Sequence, residues 1–140
     1  MTPAEMICFS LYSANHAIQR VYQPILAPLG LTYPQFLVLM LLWDRDGQTV
    51  GDLGKALQLE SNTLTPLLKR MEALGLVARA RGAEDERQVR VSLAAKGQGL
   101  RGGADAISRC IFEACGMAAQ ELTALRDQII GLRDRLRSDG

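Results

Sequence analysis

The clearest hydrophobic pattern of the chain lies in residues 61–75. Apolar side chains recur there at steps of three and four residues, which places them on one face of a helix. They are Leu64, Leu67, Leu68, Met71 and Leu74. The opposite face is polar, Ser61 is a suitable N-cap and Gly75 a suitable C-cap, so a helix with defined ends is predicted over 61–75.

A β-hairpin is predicted directly after this helix. Residues 76–81 and 88–93 are short runs of β-forming residues, and apolar and polar side chains alternate along the second run. The loop between them, residues 82–87, is charged. A capped helix with a polar face followed by a hairpin is typical of a winged helix-turn-helix, in which the helix enters a DNA groove and the wing follows the backbone.

Three further helix starts precede this region. Thr2–Glu5 has capping-box spacing with a proline at the first helical position, so a helix is predicted from residue 3, with Pro24 bending or ending it. The start at Thr32 leads into an apolar body, residues 36–43, that is expected to be buried. The capped start at Thr49 supplies the first helix of the helix-turn-helix.

Residues 94–114 and 119–137 are predicted as two more helices. Four glycines in the first of them, each costing about 1 kcal/mol relative to alanine, predict that its first half is soft or bent. The second carries an apolar seam at alternating steps of three and four residues, formed by Leu122, Leu125, Ile129, Leu132 and Leu136. The seam can pack on the chain's own first helix or in a two-fold dimer. The dimer is favoured because a winged helix that reads a palindrome needs a partner.

The elements together predict one domain, residues 1–140, of the mainly α class with a small β-hairpin wing. The chain is expected to form an obligate homodimer through its N- and C-terminal helices. The assigned segments are 1–30 and 94–140 for dimerisation and 31–93 for the winged helix-turn-helix, with the recognition helix at 61–75 and the wing at 76–93.

Composition excludes several classes of protein. With 48% hydrophobic and 5% aromatic residues, the interior is expected to be aliphatic and mainly helical. The longest apolar run has eight residues, whereas a bilayer span needs about 20, so the chain is expected in the cytoplasm without membrane contact. Three unevenly spaced cysteines without a Cys-x-x-Cys pair exclude a disulfide framework, and neither a structural metal nor a cofactor is expected.

The net charge of +1 is low for a DNA-binding protein. The positive charge is instead local, because six cations lie within the predicted recognition helix and wing. They are Lys69, Arg70, Arg79, Arg81, Arg87 and Arg90, set against Glu72, Glu84, Asp85 and Glu86. A dimer would present this basic patch twice.

Cys8 is the first candidate for chemistry. A helical cysteine among apolar neighbours is usually an inert core residue, but the only three tyrosines, Tyr12, Tyr22 and Tyr33, lie in the same quarter of the chain. Hydrogen bonds from tyrosine hydroxyls favour a thiolate over a thiol and make it oxidisable. Cys8 and Tyr22 are 14 residues apart, about 21 Å along a straight helix, so they cannot meet within one subunit. Antiparallel pairing of first helices would bring Tyr22 and Tyr33 of one subunit to Cys8 of the other.

Four segments, 8–13, 31–36, 64–70 and 85–87, together resemble the MarR family and, within it, the organic-hydroperoxide-sensing OhrR branch. The similarity covers residues 6–95 closely. It implies a homodimeric repressor that binds double-stranded DNA at a pseudo-palindromic, A·T-rich operator and leaves it when an organic hydroperoxide oxidises the sensor thiol.

The resemblance also implies roles for individual residues. Cys8 is similar to the sensor, Tyr22 and Tyr33 to its hydrogen-bonding partners from the other subunit, and Tyr12 to a nearby family tyrosine. Arg87 resembles the wing-tip arginine that enters the minor groove, with Asp85 positioning it. The contacts of the recognition helix with the major groove and phosphates are expected at Ser61, Asn62, Thr63, Thr65 and Lys69. Arg70, Arg79 and Arg81 are further expected DNA contacts because they belong to the local basic patch.

Oxidation implies a resolving thiol, for which the chain offers two candidates. Cys110 and Cys115 both fall where some members of the branch carry a second cysteine, and five helical residues turn about 500°, so the two cannot face the same way. The sulfenic acid formed at Cys8 would be captured as a disulfide by one of these thiols of the partner or by a small external thiol. The choice among them stays open.

Two other functions fit some of the same residues. One is a MarR-type repressor released by a small aromatic ligand, with Cys8 merely part of the core. The other is a thiol peroxidase that uses the same thiol chemistry. Because nothing in the sequence resembles a thioredoxin-like βαβ frame, the chain is not expected to be an enzyme.

Overall fold

A computed structural model describes residues 1–85 and 87–138, which form seven α-helices and one three-stranded antiparallel sheet. Glu86, in the predicted wing loop, and residues 139 and 140, at the end of the predicted domain, lie outside the described residues. The chain divides into two compact units, Met1–Asp105 and Ala106–Gly140. The winged helix-turn-helix lies entirely within the first unit.

The first α-helix, α1, spans Ile7–Leu26. The predicted start at residue 3 is wrong, because Pro3–Glu5 form only a single 3₁₀ turn. The capping box does form, with Glu5 Oε2 accepting from the Thr2 amide at 2.7 Å. Met6 is extended, so the turn closes before the α-helix begins. Pro24 does not end the helix, which runs two residues further because proline removes only one hydrogen bond near its C-terminus.

The second helix, α2 (Tyr33–Asp44), is the buried centre of the first unit, as predicted. Thr32 caps it reciprocally with Gln35, whose Oε1 accepts from the Thr32 amide at 3.0 Å. Trp43 is also buried, and its Nε1–H donates to the carbonyl of Gly97 at 2.9 Å. The indole thus contributes apolar surface to the core and has its one polar group satisfied.

The helix-turn-helix consists of α3 (Val50–Leu57) and α4 (Ser61–Ala73). The predicted N-cap of the second helix is wrong by one residue, because Glu60 holds the extended cap position and Ser61 is already helical. The C-terminal prediction is confirmed, since Gly75 adopts φ +78. The amide of Leu76 donates to the Met71 carbonyl at 3.0 Å, which closes a Schellman motif.

The sheet contains β1 (Gln48–Thr49), β2 (Val77–Arg81) and β3 (Val89–Leu93), in the order β1-β3-β2. The hairpin was expected from its alternation, but β1 was not, because two residues carry no periodicity. Buried Gln48 holds this short strand in place, since its Nε2 donates to the carbonyls of Leu41 at 2.8 Å and Arg45 at 2.7 Å.

After the wing, α5 (Ala95–Gly99) is followed by a 3₁₀ turn and then by α6 (Ala104–Cys115), which crosses from the first unit into the second. The single helix predicted over 94–114 is therefore broken near its glycines, as the soft first half indicated. The last helix, α7 (Ala119–Arg137), has the predicted bounds. Among the described residues no single helix is long and apolar enough to cross a bilayer, although the bent pair 7–29 and 33–44 meets that test by length and composition.

A glycine is required at position 97 because the backbone of Leu76 lies close to it, and this contact gives a test of the fold. A Cβ at this position would lie 2.2 Å from the carbonyl oxygen of Leu76, which is backbone and cannot move aside. We expect Gly97→Ala to lower the free energy of unfolding by roughly 1–3 kcal/mol, as overpacking does. Urea denaturation would measure it. Gly99→Ala is the matched control, because nothing lies within 4 Å of its Cβ position, and an equal loss in both variants would contradict the steric explanation.

Candidate functional site

The outward face of α4 is formed by residues that sequence analysis assigned to DNA, and by one that it missed. Leu64, Leu68 and Met71 are fully buried on the inner face. The exposed residues on the helix include Ser61, Asn62, Thr63, Lys69 and Arg70, while Thr65 is half-buried. At 100° per residue, exposed Pro66 lies between Asn62 and Arg70 near the centre of the outward face, a position that the same helical projection of the sequence predicts.

A glycine fixes the turn between α3 and α4, and a cap fixes the start of α3. Gly54 allows a close approach, because a Cβ there would lie 2.8 Å from the Leu59 carbonyl oxygen. Thr49 and Asp52 cap α3 reciprocally: Thr49 Oγ1 accepts from the Asp52 amide at 3.0 Å, and Asp52 Oδ2 from the Thr49 amide at 3.1 Å. The hydrogen bond from the Thr49 backbone, followed by one from its side chain, lowers the pKa of the Asp52 carboxyl.

The tip of the wing presents Arg87 to solvent. Its side chain is 92% exposed, and Asp85 Oδ1 accepts from its amide at 3.0 Å and from its Nε at 3.3 Å. Gly82 and Gln88 close the hairpin below, with the Gly82 amide donating to the Gln88 carbonyl at 2.8 Å. The structure thus brings Asp85 and Arg87 together at a projecting point of the fold.

Arg79 has a different environment from the other predicted DNA contacts of the wing. Glu72, on α4, accepts from both the amide and the guanidinium of Arg79, and the Arg79 side chain is only 23% exposed. The hydrogen bond from the Arg79 backbone, followed by that from its side chain, lowers the pKa of the Glu72 carboxyl. Arg81, at the end of β2, is exposed.

The wing base is the end of the hairpin that lies next to the helices. On its β3 side it is held by residues to which sequence analysis gave no role in the site. Asp46 Oδ1 accepts from the amides of Leu93 at 2.8 Å and Gly47 at 2.9 Å. The guanidinium of Arg90 donates to the Gly47 carbonyl, also at 2.9 Å. No periodicity signals the contacts of Asp46 with Leu93 and of Arg90 with Gly47, because they join positions more than 40 residues apart in the chain.

The Cys8 thiol lies in the first turn of α1, free and exposed, and not in the core of the chain. Tyr12 follows one turn later, is itself exposed, and stacks on His16 with ring centroids 4.4 Å apart. Residues four apart lie on one face of a helix, so Cys8, Tyr12 and His16 form a line along the exposed side of α1.

Tyr22 and Tyr33 lie together at the other end of α1. Their ring centroids are 4.7 Å apart, both residues are half-buried, and burial raises the pKa of the Tyr33 hydroxyl. They line a cleft of about 360 Å³ with Gln19, Gln23, Leu26, Ala27, Leu31 and Thr32. Because α1 is continuous between Cys8 and Tyr22, a rise of about 1.5 Å per residue separates them by about 21 Å within the chain.

The remaining cysteines, Cys110 and Cys115, are free thiols on α6. Cys110 is exposed and Cys115 is partly buried. In the described parts of the chain, 1–85 and 87–138, no group of three or more His, Cys, Asp or Glu side chains could hold a metal ion.

Each unit has apolar side chains in solvent. In the first unit, Ile7 is 63% exposed, and Phe9 and Ile18 are also exposed on α1. In the second unit, the seam of α7 exposes Leu125, Ile129 and Leu136. Exposed apolar groups at helical spacing are typical of surfaces that contact another protein.

The family described as "Transcriptional regulator SarA/Rot" matches residues 20–101, from the second half of α1 through the wing and α5. The HTH-type transcriptional regulator TtmR of Methylorubrum extorquens (strain PA1) is 48% identical over 130 residues, which are 93% of this chain and 67% of TtmR. The "Organic hydroperoxide resistance transcriptional regulator" of Bacillus subtilis (strain 168) is 40% identical over 130 residues, 93% of this chain and 88% of that protein.

Solved structures of a protein named AbfR have the same overall fold as this chain. The overoxidized form of AbfR bound to DNA superposes with a TM-score of 0.78 at 34% identity, covering 95% of this chain and 93% of AbfR. AbfR is a protein of Staphylococcus epidermidis. Its disulfide form superposes with a TM-score of 0.63 at 35% identity, covering 96% and 90% of the two chains.

Asp52 and Glu72 predict how stability falls in acid. Their pKa values lie below the ordinary 3.8 and 4.5 because of hydrogen bonds formed only in the folded chain. Below about pH 5 the unfolded state therefore binds more protons, and the stabilisation is lost as pH falls through the lowered values. We expect the double variant Asp52→Asn/Glu72→Gln to be less stable at neutral pH and to show a flatter rise of the urea midpoint across this window. Asp44→Asn/Glu113→Gln is the control for net charge, and equal flattening in both would contradict the assignment.

Proposed function

Because the chain belongs to the SarA/Rot family of transcriptional regulators, we propose that it is a DNA-binding repressor released from its operator when an organic hydroperoxide oxidises Cys8. The observation that carries this proposal is the separation of an exposed Cys8 thiol from the adjacent rings of Tyr22 and Tyr33. The two halves of one sensor lie on the same chain but cannot meet within it. The 40% identity to an organic hydroperoxide resistance regulator supports the same chemistry.

A homodimer would complete the sensor. If α1 pairs antiparallel with α1 of a second copy, the cleft of Tyr22 and Tyr33 in one subunit faces Cys8 of the other. Tyr12, one turn from Cys8 on its own helix, would be a nearer donor. The exposed apolar residues of α1 and of the α7 seam support segments 1–30 and 94–140 as the dimer contacts. Residues 31–93 would then be the DNA-binding part.

The DNA contacts follow from exposure and residue type. The short polar side chains at the start of α4, Ser61, Asn62, Thr63 and Thr65, suit base edges in the major groove. Lys69 and Arg70, further along the helix, suit phosphates. Arg87 at the wing tip suits a narrow A·T-rich minor groove, where the negative potential is strongest.

The redox step balances without a cofactor. The Cys8 thiolate attacks the terminal oxygen of the hydroperoxide, the O–O bond breaks, and the alkoxide leaves and takes up a proton to give an alcohol. Cys8 is then a sulfenic acid. A second thiol, Cys110 or Cys115 of the partner or a small cytoplasmic thiol, displaces its hydroxyl as water and forms a disulfide. The contacts of Cys8 with tyrosine are lost, the two α4 helices shift relative to the groove repeat of about 34 Å, and affinity for DNA falls.

The cleft itself favours one alternative. Its volume of about 360 Å³ lies within the usual range of about 300–1,000 Å³ for small-molecule sites, and its lining combines two phenol rings with apolar and amide side chains. A small aromatic ligand bound there would release the repressor without oxidation. The two functions differ in whether Cys8 is needed.

A gel-shift assay on an operator duplex separates them. We expect cumene hydroperoxide to abolish binding by the wild-type protein and to leave Cys8→Ser bound, because serine cannot form the sulfenic acid. Cys110→Ser and Cys115→Ser are matched controls that also reveal which thiol, if either, forms the disulfide. Retained binding by wild-type protein whose Cys8 is oxidised by mass spectrometry would overturn the redox proposal. Release by salicylate alone, equally in Cys8→Ser, would favour the ligand.

The dimer has its own test. Ile129→Glu places a charge in the exposed seam of α7, and we expect a monomer in sedimentation velocity together with a loss of operator binding, because a buried unpaired carboxylate is costly. Thr123→Glu is the control, since that residue is exposed on another side of the helix, about 120° from Ile129. Dimers of unchanged stability in Ile129→Glu would contradict a seam at the interface.

A further inference from the structure

The pair Glu72 and Arg79, called here the wing clamp, joins the recognition helix to the wing. We propose that Glu72 is a positioning residue that holds β2 against α4, and that Arg79 belongs to this clamp and is not a phosphate contact. This inference rests on the DNA-binding part of the proposed function and is independent of the thiol. It revises the expectation that Arg79 contacts DNA.

Both carboxylate oxygens of Glu72 accept hydrogen bonds in the wing clamp. Glu72 Oε2 accepts from the backbone amide of Arg79 at 3.0 Å, while Oε1 accepts from Nη2 at 3.1 Å and from Nε at 3.3 Å. One helix side chain therefore fixes both the path of the strand and the direction of its side chain. Charge-assisted bonds that engage both oxygens are the strong class of such contacts.

Electrostatics argue against a contact between Arg79 and a DNA phosphate in addition to the wing clamp. A cation strengthens DNA binding by neutralising a phosphate and releasing its counterions. Moving the Arg79 guanidinium to a phosphate would leave the Glu72 carboxylate unpaired beside the polyanion. The contrast is Arg87, which contacts a single carboxylate oxygen of Asp85 and whose side chain is 92% exposed, against 23% for Arg79.

The opposite strand of the hairpin is also tied at its base. Asp46 accepts from the amide of Leu93, at the end of β3, and Arg90 of the same strand donates to the Gly47 carbonyl. Because Glu72 accepts from Arg79 of β2 and Asp46 accepts from Leu93 of β3, both strands are attached to the helical part of the first unit. We therefore infer that α4 and the wing base form one reading unit, which leaves DNA as a whole when the repressor is released.

The slope of binding against salt tests this directly. The variants are Arg79→Gln and Arg87→Gln, which remove one cation each and keep a polar side chain. Wild-type protein would first select a duplex of about 30 base pairs from a random library, long enough for two half-sites. Dissociation constants from fluorescence anisotropy across a salt series then give the slope of log K against log salt concentration.

For Arg87→Gln we expect the slope to become shallower by about 0.9 per subunit, the value for one lost phosphate contact. Arg79→Gln is measured together with Glu72→Gln, so that no carboxylate is left unpaired beside the DNA, and for this double variant we expect a several-fold weaker binding by the same factor at every salt concentration, with an unchanged slope. A shallower slope for the double variant, or no change in its affinity at all, would overturn the proposal.

Glu72→Gln provides a second route to the same answer. Because the two residues act as one pair, we expect Glu72→Gln/Arg79→Gln to bind no more weakly than the worse single variant, whereas independent roles would give additive losses and refute the clamp. Urea midpoints confirm that each variant is folded before its slope is compared. Failure of wild-type protein to enrich any duplex would refute the DNA-binding function itself, and insensitivity to peroxide would refute only the redox control.

Discussion

The length of α1 is the constraint on which the proposed sensor depends. An unbroken helix from Ile7 to Leu26 keeps Cys8 about 21 Å from Tyr22, and packing of Tyr22 on Tyr33 and Phe36 ties its far end to the core helix α2. The thiol cannot fold back to the hydroxyls without breaking that helix. A sensor assembled from these groups is therefore also a dimer contact, so a change in its chemistry acts directly where two copies meet.

The proposed DNA-binding surface shows a second constraint, because carboxylates hold two of its six cations. The net charge is only +1, and carboxylates hold specific members of the basic patch: Glu72 holds Arg79, and Asp85 orients Arg87. Local acidic residues thus determine which cations of the basic patch extend into solvent. Specific recognition benefits from this arrangement, because freely mobile cations strengthen binding to any sequence whereas oriented ones favour one register.

The sequence could predict those parts of the fold that rest on local periodicity. The buried face of α4, the wing strands, the bounds of α7 and the soft segment near Gly97 all follow from residue spacing and glycine content. It could not predict β1, the extended Met6 or the contacts of Glu72 and Asp46, because these depend on partners brought together by folding. For the candidate site, residue types identified Cys8 and the basic patch, but Arg79 was assigned to DNA on its charge alone. Its actual environment is set by a carboxylate one element away.

The two constraints together determine how a small chemical event could release DNA. If the wing base and α4 were joined loosely, a shift at the dimer contact would move only the wing or only α4 away from the DNA. The element that stayed bound would keep part of the affinity, which would then fall in stages. Glu72 and Asp46 tie them together through hydrogen bonds, so in the proposed release the major-groove and minor-groove contacts would be lost in the same displacement. In a two-fold dimer this loss occurs at both half-sites, whose separation must match the groove repeat of about 34 Å. In the proposed mechanism, rigidity within each reading unit is what would allow a single disulfide far from the DNA to act as a switch.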